Sequence, residues 1–219
     1  MRFLLDPTRY TLADPSSLPN LTAQHLSIVA TSMVVAVLIA LPLGVAISRY
    51  RRLYLPVVTI AGLLYTIPGL ALLAVLVPVT GLDATTIIVP LVIYAQLVLI
   101  RNTVAAIDAI DPVLLEAARA MGMSRAQVLR RIVMPLALPL VVAGVRVATV
   151  TTIGIASLAA LVGAGGYGDY ILSGLYQVDT TQILAGAVPV TLLAMAAELS
   201  LGWAQRALTP GGVSEPVRR

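Results

Sequence analysis

Residues 108–139 read DAIDPVLLEAARAMGMSRAQVLRRIVMPLALP and form the longest polar interruption in a chain otherwise built of long apolar stretches. The pattern predicts that this interruption folds as two helices joined by a turn. Asp111 can cap a first helix that begins with Pro112, because a short acidic side chain accepts hydrogen bonds from free backbone N–H groups. Glu116 follows about one turn later, and Gly122 can end that helix in a left-handed conformation.

A second helix is predicted to follow the glycine. Ser124 and Gln127 have the spacing of a capping box, in which each side chain bonds the backbone N–H of the other residue. We expect this helix to stop near Pro135, which has no N–H to continue the hydrogen-bond ladder. It carries Arg125, Arg130 and Arg131. The interruption therefore predicts a helix-turn-helix between two apolar segments.

The composition is typical of a membrane protein. Hydrophobic residues make up 59% and charged residues 11% of the 219 residues, and the mean hydropathy is +0.97. An average soluble domain is about 45–50% apolar and about 25% charged. One membrane crossing needs roughly 20 apolar residues, which leaves room for about five or six helical spans and none for a separate soluble catalytic domain.

Charge-free stretches predict an all-α membrane protein with about five spans. The spans are expected near residues 23–47, 55–79, 85–106, 138–162 and 182–206. Residues 1–22 are expected to form an external arm, 23–208 the transmembrane domain with its cytoplasmic loop at 108–137, and 209–219 a disordered cytoplasmic tail. The expected spans are interrupted by prolines, which bundle packing tolerates: Pro42, Pro68, Pro78, Pro90 and Pro189.

The arginines indicate the orientation. With the amino terminus outside, only Arg2 and Arg9 lie on the outer side, while Arg101 and Arg146 sit toward the inner ends of the third and fourth spans. The others fall in cytoplasmic segments: Arg49, Arg51, Arg52, Arg119, Arg125, Arg130, Arg131, Arg206, Arg218 and Arg219. The positive-inside rule therefore selects an outer amino terminus and a cytoplasmic carboxyl terminus.

Missing residue types exclude several chemistries. The chain has no cysteine, and its single histidine, His25, cannot form a multi-histidine cluster, so no metal site is expected. All 14 basic residues are arginine, so no P-loop lysine and no Schiff-base lysine is available. Any ATP-driven work must use a nucleotide site on another subunit.

The polar loop resembles a known family element. Glu116-Ala117-Ala118, with Gly122, Ile132, Met134 and Pro135 after it, is similar to the EAA loop of ABC importer permeases, with methionine where the family has leucine. In that family this loop is the coupling helix, which inserts into a cleft of the ATP-binding subunit and transmits its movement to the spans. The resemblance assigns this coupling role to Glu116, Ala117, Ala118, Gly122, Ile132 and Pro135.

Other stretches resemble the osmoprotectant permeases of that family. They are YTIPGLALLAVLVPVTG from Tyr65, RNTVAAIDAIDPVLLEAARAMGMS from Arg101 and LVGAGGYGDYILSGL from Leu161, and the likeness runs from about Leu21 to Leu208. It implies a MetI-like transmembrane fold and a substrate such as glycine betaine, carnitine or choline. Methionine importer permeases share the five-span layout, so methionine or another amino acid stays an alternative substrate.

The resemblance also implies partners and a location. The expected partners are ABC ATP-binding subunits that carry ATP and Mg, a second permease chain that is identical or paralogous, an extracytoplasmic substrate-binding protein and membrane lipid. No cofactor in this chain and no nucleic acid are expected. The expected location is the bacterial cytoplasmic membrane, where the chain transports solute without being an enzyme itself.

Polar residues within and beside the spans are candidates for the solute path. Tyr65, Tyr94 and Gln96 are the first candidates inside the spans, although such side chains also satisfy backbone groups or bridge helices. Tyr167 and Asp169 are candidates for the external mouth, with interfacial anchoring as the alternative for the tyrosine. Tyr167 lies in the run Gly163–Gly168 and Asp169 directly follows it; the run matches a dinucleotide fingerprint but follows a span, so we expect a flexible turn or re-entrant gate there.

Two ionisable residues lie deep within the expected spans. Arg146 and Glu198 each sit about 8 residues from the cytoplasmic end of their spans, a depth of about 12 Å. Ionisable groups are expensive at such a depth unless they are paired. We therefore predict a structural ion pair between Arg146 and Glu198.

The sequence also allows alternatives to an importer permease. An intramembrane serine protease at Gly154 and Ser157 needs a buried general base, and His25 is the only histidine. An ion-coupled secondary transporter needs intramembrane carboxylates, and Glu198 alone is thin support. A DNA-binding helix-turn-helix is disfavoured for the polar loop because the loop is tethered to the bilayer at both ends. A helix that merely rests at the membrane surface is the other alternative, and the length of the motif and its location between spans favour coupling over it.

Overall fold

The computed structural model describes Asp14 and residues 16–209, and within these residues all regular structure is helical. The α-helices are α1 (Leu18–Arg49), α2 (Tyr54–Thr66), α3 (Gly69–Thr80), α4 (Ala84–Asp108), α5 (Pro112–Ala120), α6 (Arg125–Val128), α7 (Met134–Ile155), α8 (Gly168–Gln177) and α9 (Thr180–Leu208). Short 3₁₀ segments occupy Arg51–Leu53 and Ala156–Val162, and a π turn occupies Leu129–Val133. The predicted all-α membrane fold is confirmed.

Four helical segments are long and apolar enough to cross a membrane. They are α1, α4, the continuous segment Arg125–Val162 and α9, and the pair α2–α3 brings the number to five if it counts as one broken span. Within the pair the chain bends by 92°. The span predicted over residues 55–79 is therefore present as a bent pair of helices, broken at one of the prolines expected to interrupt the spans.

The break in the second span is set by Pro68. Ile67 adopts an extended conformation (φ −66°, ψ 125°), as expected before a proline, whose ring disfavours helical backbone in the preceding residue. Pro68 then stands at the start of α3, where its missing N–H is not needed. The other prolines named for the spans lie inside helices: Pro42, Pro78, Pro90 and Pro189.

Helix α4 lies at the centre of the bundle. It packs against α1 on one side and α7 on another, and it also contacts α2 and α3. Glycine permits both close approaches: a Cβ at Gly44 of α1 would lie 2.6 Å from the Thr103 side chain, and one at Gly144 of α7 would lie 2.5 Å from Asn102 Cβ. Small residues at helix contacts increase van der Waals packing, which drives association of helices in lipid.

The first helix begins before residue 23, the predicted start of the transmembrane domain. Helix α1 begins at Leu18 with proline in its first turn, so residues 18–22, which were assigned to the external arm, belong to the first helix. The rest of the predicted arm, apart from Asp14, Ser16 and Ser17, lies outside the described residues. The predicted tail also lies outside them, except for Thr209.

The helix that follows the polar turn does not stop at Pro135. It continues from α6 through the π turn into α7, as one segment from Arg125 to Val162. A proline normally clashes with the carbonyl group four residues earlier, and here that residue, Arg131, lies in the π turn. The wider π turn accommodates the proline without ending the helix, so the predicted stop is wrong.

The glycine-rich segment after α7 forms a turn followed by an additional helix. Gly163, Gly165 and Gly166 all have positive φ angles, and the chain then enters α8, which packs against α9. No strand precedes the glycines within residues 16–209, so the context of a dinucleotide fingerprint is absent there. Helix α8 lies between the fourth and fifth expected spans, where no helix was predicted.

Candidate functional site

The first helix of the polar loop begins as predicted. The Asp111 side chain accepts a hydrogen bond from the Val113 N–H at 2.9 Å, and Pro112 is the first helical residue. These contacts satisfy free donors at the amino terminus of α5. The start of α5 is thus fixed by the two residues that precede its apolar side chains.

The end of α5 is a Schellman motif centred on Gly122. The Gly122 N–H donates to the Arg119 carbonyl at 2.9 Å, and the Met123 N–H donates to the Ala118 carbonyl at 3.1 Å. This pair of bonds requires a left-handed residue, and Gly122 has φ +78°. The predicted left-handed end of the helix is confirmed.

The second helix of the loop begins with the predicted capping box. The Gln127 N–H donates to Ser124 Oγ at 3.3 Å, and the Ser124 N–H donates to Gln127 Oε1 at 2.7 Å. The two loop helices are therefore joined by only three residues that follow Ala120 and precede the cap. Such a short connection holds α5 and α6 in a defined relative orientation.

The residues of α5 that are predicted to couple to the ATP-binding subunit differ in their exposure. Glu116 and Ala117 are exposed, whereas Ala118 is fully buried in an apolar cluster with Ile110 and Val128. Ala118 therefore packs within the loop and is not available to the groove of a partner, which corrects the expectation for this residue. Ile132 is half-buried within the π turn, and Pro135 is exposed just after it.

The outward face of α5 combines one carboxylate with apolar side chains. Glu116 is accompanied by exposed Val113 and Leu114, and Met121 is exposed at the end of the helix. Arg119, three residues after Glu116, is also exposed, so this surface combines apolar side chains with one charge of each sign, a mixture that protein interfaces also have. The loop thus has an exposed surface of mixed polarity on an interior that is already packed.

An ion pair that sequence reasoning missed ties the base of the loop to the elbow after α1. Arg51 donates two hydrogen bonds to the Asp108 carboxylate, from Nη1 to Oδ2 at 2.7 Å and from Nη2 to Oδ1. Arg51 lies in the 3₁₀ turn before α2, and Asp108 ends α4. No local pattern connects residues so far apart in sequence, so only the tertiary structure reveals the pair.

Two of the predicted path residues meet at the break in the second span. The rings of Tyr65 and Tyr94 are 5.9 Å apart and nearly perpendicular, with an interplanar angle of 79°. The Tyr94 hydroxyl donates to the Ile67 carbonyl at 2.8 Å. Beside the two rings lies a small cavity that is also lined by Thr151 and Thr152 of α7.

Gln96 does not join this pair. Its Nε2 donates to the Ala36 carbonyl of α1 and to the Val92 carbonyl, both at 3.2 Å. Its Oε1 is buried and has no hydrogen-bond partner among the described residues. Gln96 therefore lies between α1 and α4, roughly 200° around the helix from Tyr94, and its place in the solute path stays a prediction.

Tyr167 holds the first turns of α1 instead of facing outward. Its side chain is buried, and its hydroxyl lies 2.5 Å from Thr22 Oγ1. The neighbouring Gly166 N–H donates to Gln24 Oε1 at 2.9 Å, and the buried Tyr170 donates from its hydroxyl to the Ser16 carbonyl at 2.6 Å. These contacts form a clasp between the glycine-rich turn and α1, so the external-mouth prediction for Tyr167 is corrected.

Asp169 remains a candidate for the surface at this end of the bundle. It lies in the first turn of α8 and is half-buried. Burial raises the pKa of its carboxyl group above the ordinary value, because desolvation disfavours the charged form. Its position in the first turn of a helix acts in the opposite sense, since the helix amino terminus favours negative charge.

Arg146 and Glu198 lie together between α7 and α9. Arg146 Nε is 3.2 Å from Glu198 Oε1, and Arg146 Nη1 donates to Gln205 Oε1 at 3.1 Å. The Nε–H has the distance of an ion pair but not the direction of a hydrogen bond. The arrangement joins the two last spans through one guanidinium group.

The geometry does not provide a serine protease centre. His25 is buried, its Nε2 lies 3.0 Å from the Ile153 carbonyl, and its Nδ1 has no hydrogen-bond partner in the described part of the chain. Neither ring nitrogen therefore bonds Ser157, as a general base must. Within Asp14 and residues 16–209, no group of three or more potential metal ligands is found either.

Comparison with known proteins agrees with the architecture. Residues 21–211 match the family model described as binding-protein-dependent transport system inner membrane component. The chain is 45% identical over 188 residues to the carnitine transport permease protein OpuCD of Listeria monocytogenes serotype 1/2a (strain 10403S). This match covers 85% of the chain and 84% of the relative. The chain is also 45% identical to the glycine betaine/carnitine/choline transport system permease protein OpuCD of Bacillus subtilis (strain 168), over 85% of this chain and 82% of the relative.

A solved structure is similar along most of its length. It is a chain of the MetNI methionine ABC transporter in an inward-facing conformation, with a TM-score of 0.73 and 28% sequence identity. The similarity covers 85% of this chain and 93% of the other. The described helices therefore have the arrangement of an importer's membrane subunit.

Proposed function

The chain belongs to the family of binding-protein-dependent transport system inner membrane components, and from this we propose that it imports a quaternary-ammonium osmoprotectant such as glycine betaine, carnitine or choline. The relatives at 45% identity are permeases named for carnitine and for glycine betaine, carnitine and choline. Methionine import is the second candidate, supported by the similarity to the methionine transporter at 28% identity. The higher identity to the osmoprotectant permeases favours the first.

The observation that carries the mechanical part of the proposal is the loop that contains α5 and α6. It is capped at both ends of α5, packed on its own core and exposed along Glu116. A preformed element loses little conformational freedom when a partner binds it. Its second helix continues into a span, so movement of the loop is passed directly to the bundle.

The proposal assigns the nucleotide chemistry to other subunits. ATP and Mg bind ATPase subunits that receive the loop, and this chain supplies no nucleotide site, since it has no lysine for a P-loop. A second permease chain, identical or paralogous, completes the path, and an extracytoplasmic binding protein delivers the solute. The amino terminus lies outside and the loop inside, as the arginine distribution favours.

Copurification with the cognate ATPase tests the coupling role. We expect Glu116→Lys and Gly122→Asp to weaken assembly or to leave ATP hydrolysis uncoupled from uptake, while the spans still insert. Gln127→Glu, which keeps an acceptor for the Ser124 N–H, is the matched loop control. Normal assembly and normal coupling in both loop variants would contradict the role proposed for α5.

Uptake measurements test the substrate and the energy source. The complete complex in proteoliposomes, with its binding protein, is expected to accumulate radiolabelled glycine betaine, carnitine or choline and not methionine. In cells, uptake should be lost on ATP depletion when the proton gradient is preserved. Uptake that is lost only on collapse of the gradient would support the secondary-transporter alternative.

A further inference from the structure

The break between α2 and α3 lies deep in the membrane. Thr66 ends α2 about 18 Å along the helix from Tyr54, and Tyr94 lies about 15 Å along α4 from Ala84, at about 1.5 Å per residue. Both positions fall near the middle of a hydrocarbon core about 30 Å thick. Irregular backbone at such a depth is tolerated only where it is buried in protein or lines a water-filled cavity.

The chain itself does not bury this break. Thr66 and Pro68 are exposed, and Ile67 is only partly buried. The carbonyl oxygens of Tyr65 and Thr66 accept no hydrogen bond across the break from any described residue. Since lipid offers no donors to such groups, the break must face a hydrated path or another chain.

One aromatic ring at the break is buried and the other is accessible. Tyr94 is only 7% exposed, and its hydroxyl is occupied by the Ile67 carbonyl. Tyr65 is 41% exposed and stands nearly perpendicular to the Tyr94 ring. Tyr94 therefore positions both the break and the Tyr65 ring, while Tyr65 offers the accessible aromatic surface.

The α2 side of the break favours a cation. The carboxyl end of a helix carries partial negative charge, and the last carbonyl groups of α2 lie at the break, while the opposite partial charge at the start of α3 lies across the 92° bend. The adjacent cavity is lined by uncharged side chains, which include Tyr65, Leu91, Tyr94, Thr151 and Thr152. No carboxylate lines it to bind a hard metal ion, and no arginine lines it to repel a cation.

We propose that Tyr65 and the carboxyl end of α2 form a transient subsite for the quaternary ammonium group that glycine betaine, carnitine and choline share. The subsite rests on the proposed function and adds the location at which the solute contacts the permease. A single aromatic contact with a cation is weak, as passage requires, because a solute that bound tightly in the path would not leave. Tyr65 is the contact residue and Tyr94 is a positioning residue.

Fluorinated aromatic residues at position 65 test the subsite without changing its shape. Fluorine withdraws electrons from the ring and weakens its attraction for a cation. In the complete reconstituted complex, we expect Tyr65→Phe to transport [14C]choline and [14C]glycine betaine at nearly the native rate. Phenylalanine with one, two and three fluorines at position 65 should then lower that rate step by step.

Removal of the ring gives the size of the effect. Tyr65→Leu is expected to slow uptake about 2- to 5-fold, the factor that corresponds to an exposed cation–π contact, while stimulation of ATP hydrolysis by the loaded binding protein stays near native. Tyr176→Leu is the control, since Tyr176 is 80% exposed at the end of α8 and distant in sequence from the break. It should leave uptake unchanged.

Two results would overturn the subsite. Uptake that does not respond to the number of fluorines would show that the ring acts by shape, as it would if it packed against a second permease chain. A parallel fall of ATP hydrolysis and uptake in Tyr65→Leu would show a general structural defect. Absence of ATP-dependent uptake of both solutes by the native complex would instead overturn the function itself, and the subsite with it.

Discussion

Gly122 is the residue at which backbone conformation alone decides the shape of the loop. Its φ is +78°, and a Cβ placed there would meet no atom within 4 Å. Any effect of a side chain at this position therefore comes from the left-handed backbone, which costs an L-residue about 1–2 kcal/mol.

Gly122→Ala is accordingly expected to weaken binding of the ATPase subunit about 5- to 30-fold, the factor that corresponds to that strain. Gly122→Asn should have a smaller effect, because asparagine tolerates the left-handed region. Gly62→Ala is the control, since that glycine is helical and also has free space around it. Titration of the ATPase onto the purified permease measures the difference, and equal affinity for Gly122→Ala and Gly62→Ala would contradict the explanation.

For the Arg146–Glu198 pair, we predict that removing one charge destabilises the protein more than exchanging the two charges does. The two side chains are 30% and 48% exposed, so their mutual attraction is worth at most about 1 kcal/mol. An unpaired charge near the middle of a span costs more, about 2.5–3.5 kcal/mol. We expect Arg146→Gln and Glu198→Gln each to lower the Tm of the purified complex.

The exchanged variant Arg146→Glu with Glu198→Arg should recover most of the lost Tm and uptake. Recovery need not be complete, because the exchange removes the hydrogen bond from Arg146 to Gln205. Thermal unfolding of the four proteins, followed by uptake, makes the comparison. A charge-exchanged protein as unstable as the single variants would show that the two residues act separately.

At the level of elements, the π turn at Leu129–Val133 sets how α5 and α6 are rotated relative to α7. A π turn contains about one residue more than an α turn, which corresponds to a rotation of about 100°. Pro135 removes the N–H that a regular helix would use there. Pro135→Ala should therefore allow the segment to relax toward an α-helix and turn the docking face away from its partner.

The expected result for Pro135→Ala is a lower number of solute molecules transported per ATP hydrolysed. Pro139→Ala, which removes a proline from the same helix beyond the π turn, should keep the native ratio. Reconstituted complex, with uptake and phosphate release measured on the same sample, gives the ratio directly. The same ratio in both variants would count against this role of the π turn.

For the whole molecule, the absence of cysteine makes the orientation testable with single introduced thiols. Gln177→Cys at the end of α8 and Arg125→Cys at the start of α6 are both exposed positions. The arginine distribution predicts that a membrane-impermeant maleimide labels the first on intact cells and the second only after permeabilisation. The reverse pattern of labelling would invert the proposed topology.

Local signals predicted the fold well. Asp111, Gly122 and the Ser124–Gln127 pair were predictable because capping depends on residues a few positions apart. The spans were predictable because apolar length is itself the constraint imposed by a bilayer. The resemblance of the loop then gave the family that residues 21–211 match.

Tertiary packing decided what the sequence could not predict. Helix α8 has only 10 residues, too few to be recognised as a span, and it depends on its contacts with α9. The orientations of Gln96 and Tyr167 depend on where α1 packs, and the continuation past Pro135 depends on a local π turn. Polarity identified side chains that need a partner but not the direction in which they point.

The continuous helical segment from Arg125 to Val162 can act as a rigid lever across the bundle. Its 38 residues span about 57 Å at about 1.5 Å per residue. If it pivots near its middle, a tilt of about 5° swings each end by about 2.5 Å in opposite directions. Displacement of the polar loop at one end of the segment would thus move the glycine-rich turn at the other end in the opposite direction. Because that turn is bonded to α1, closure on one side of the bundle would be linked to opening on the other.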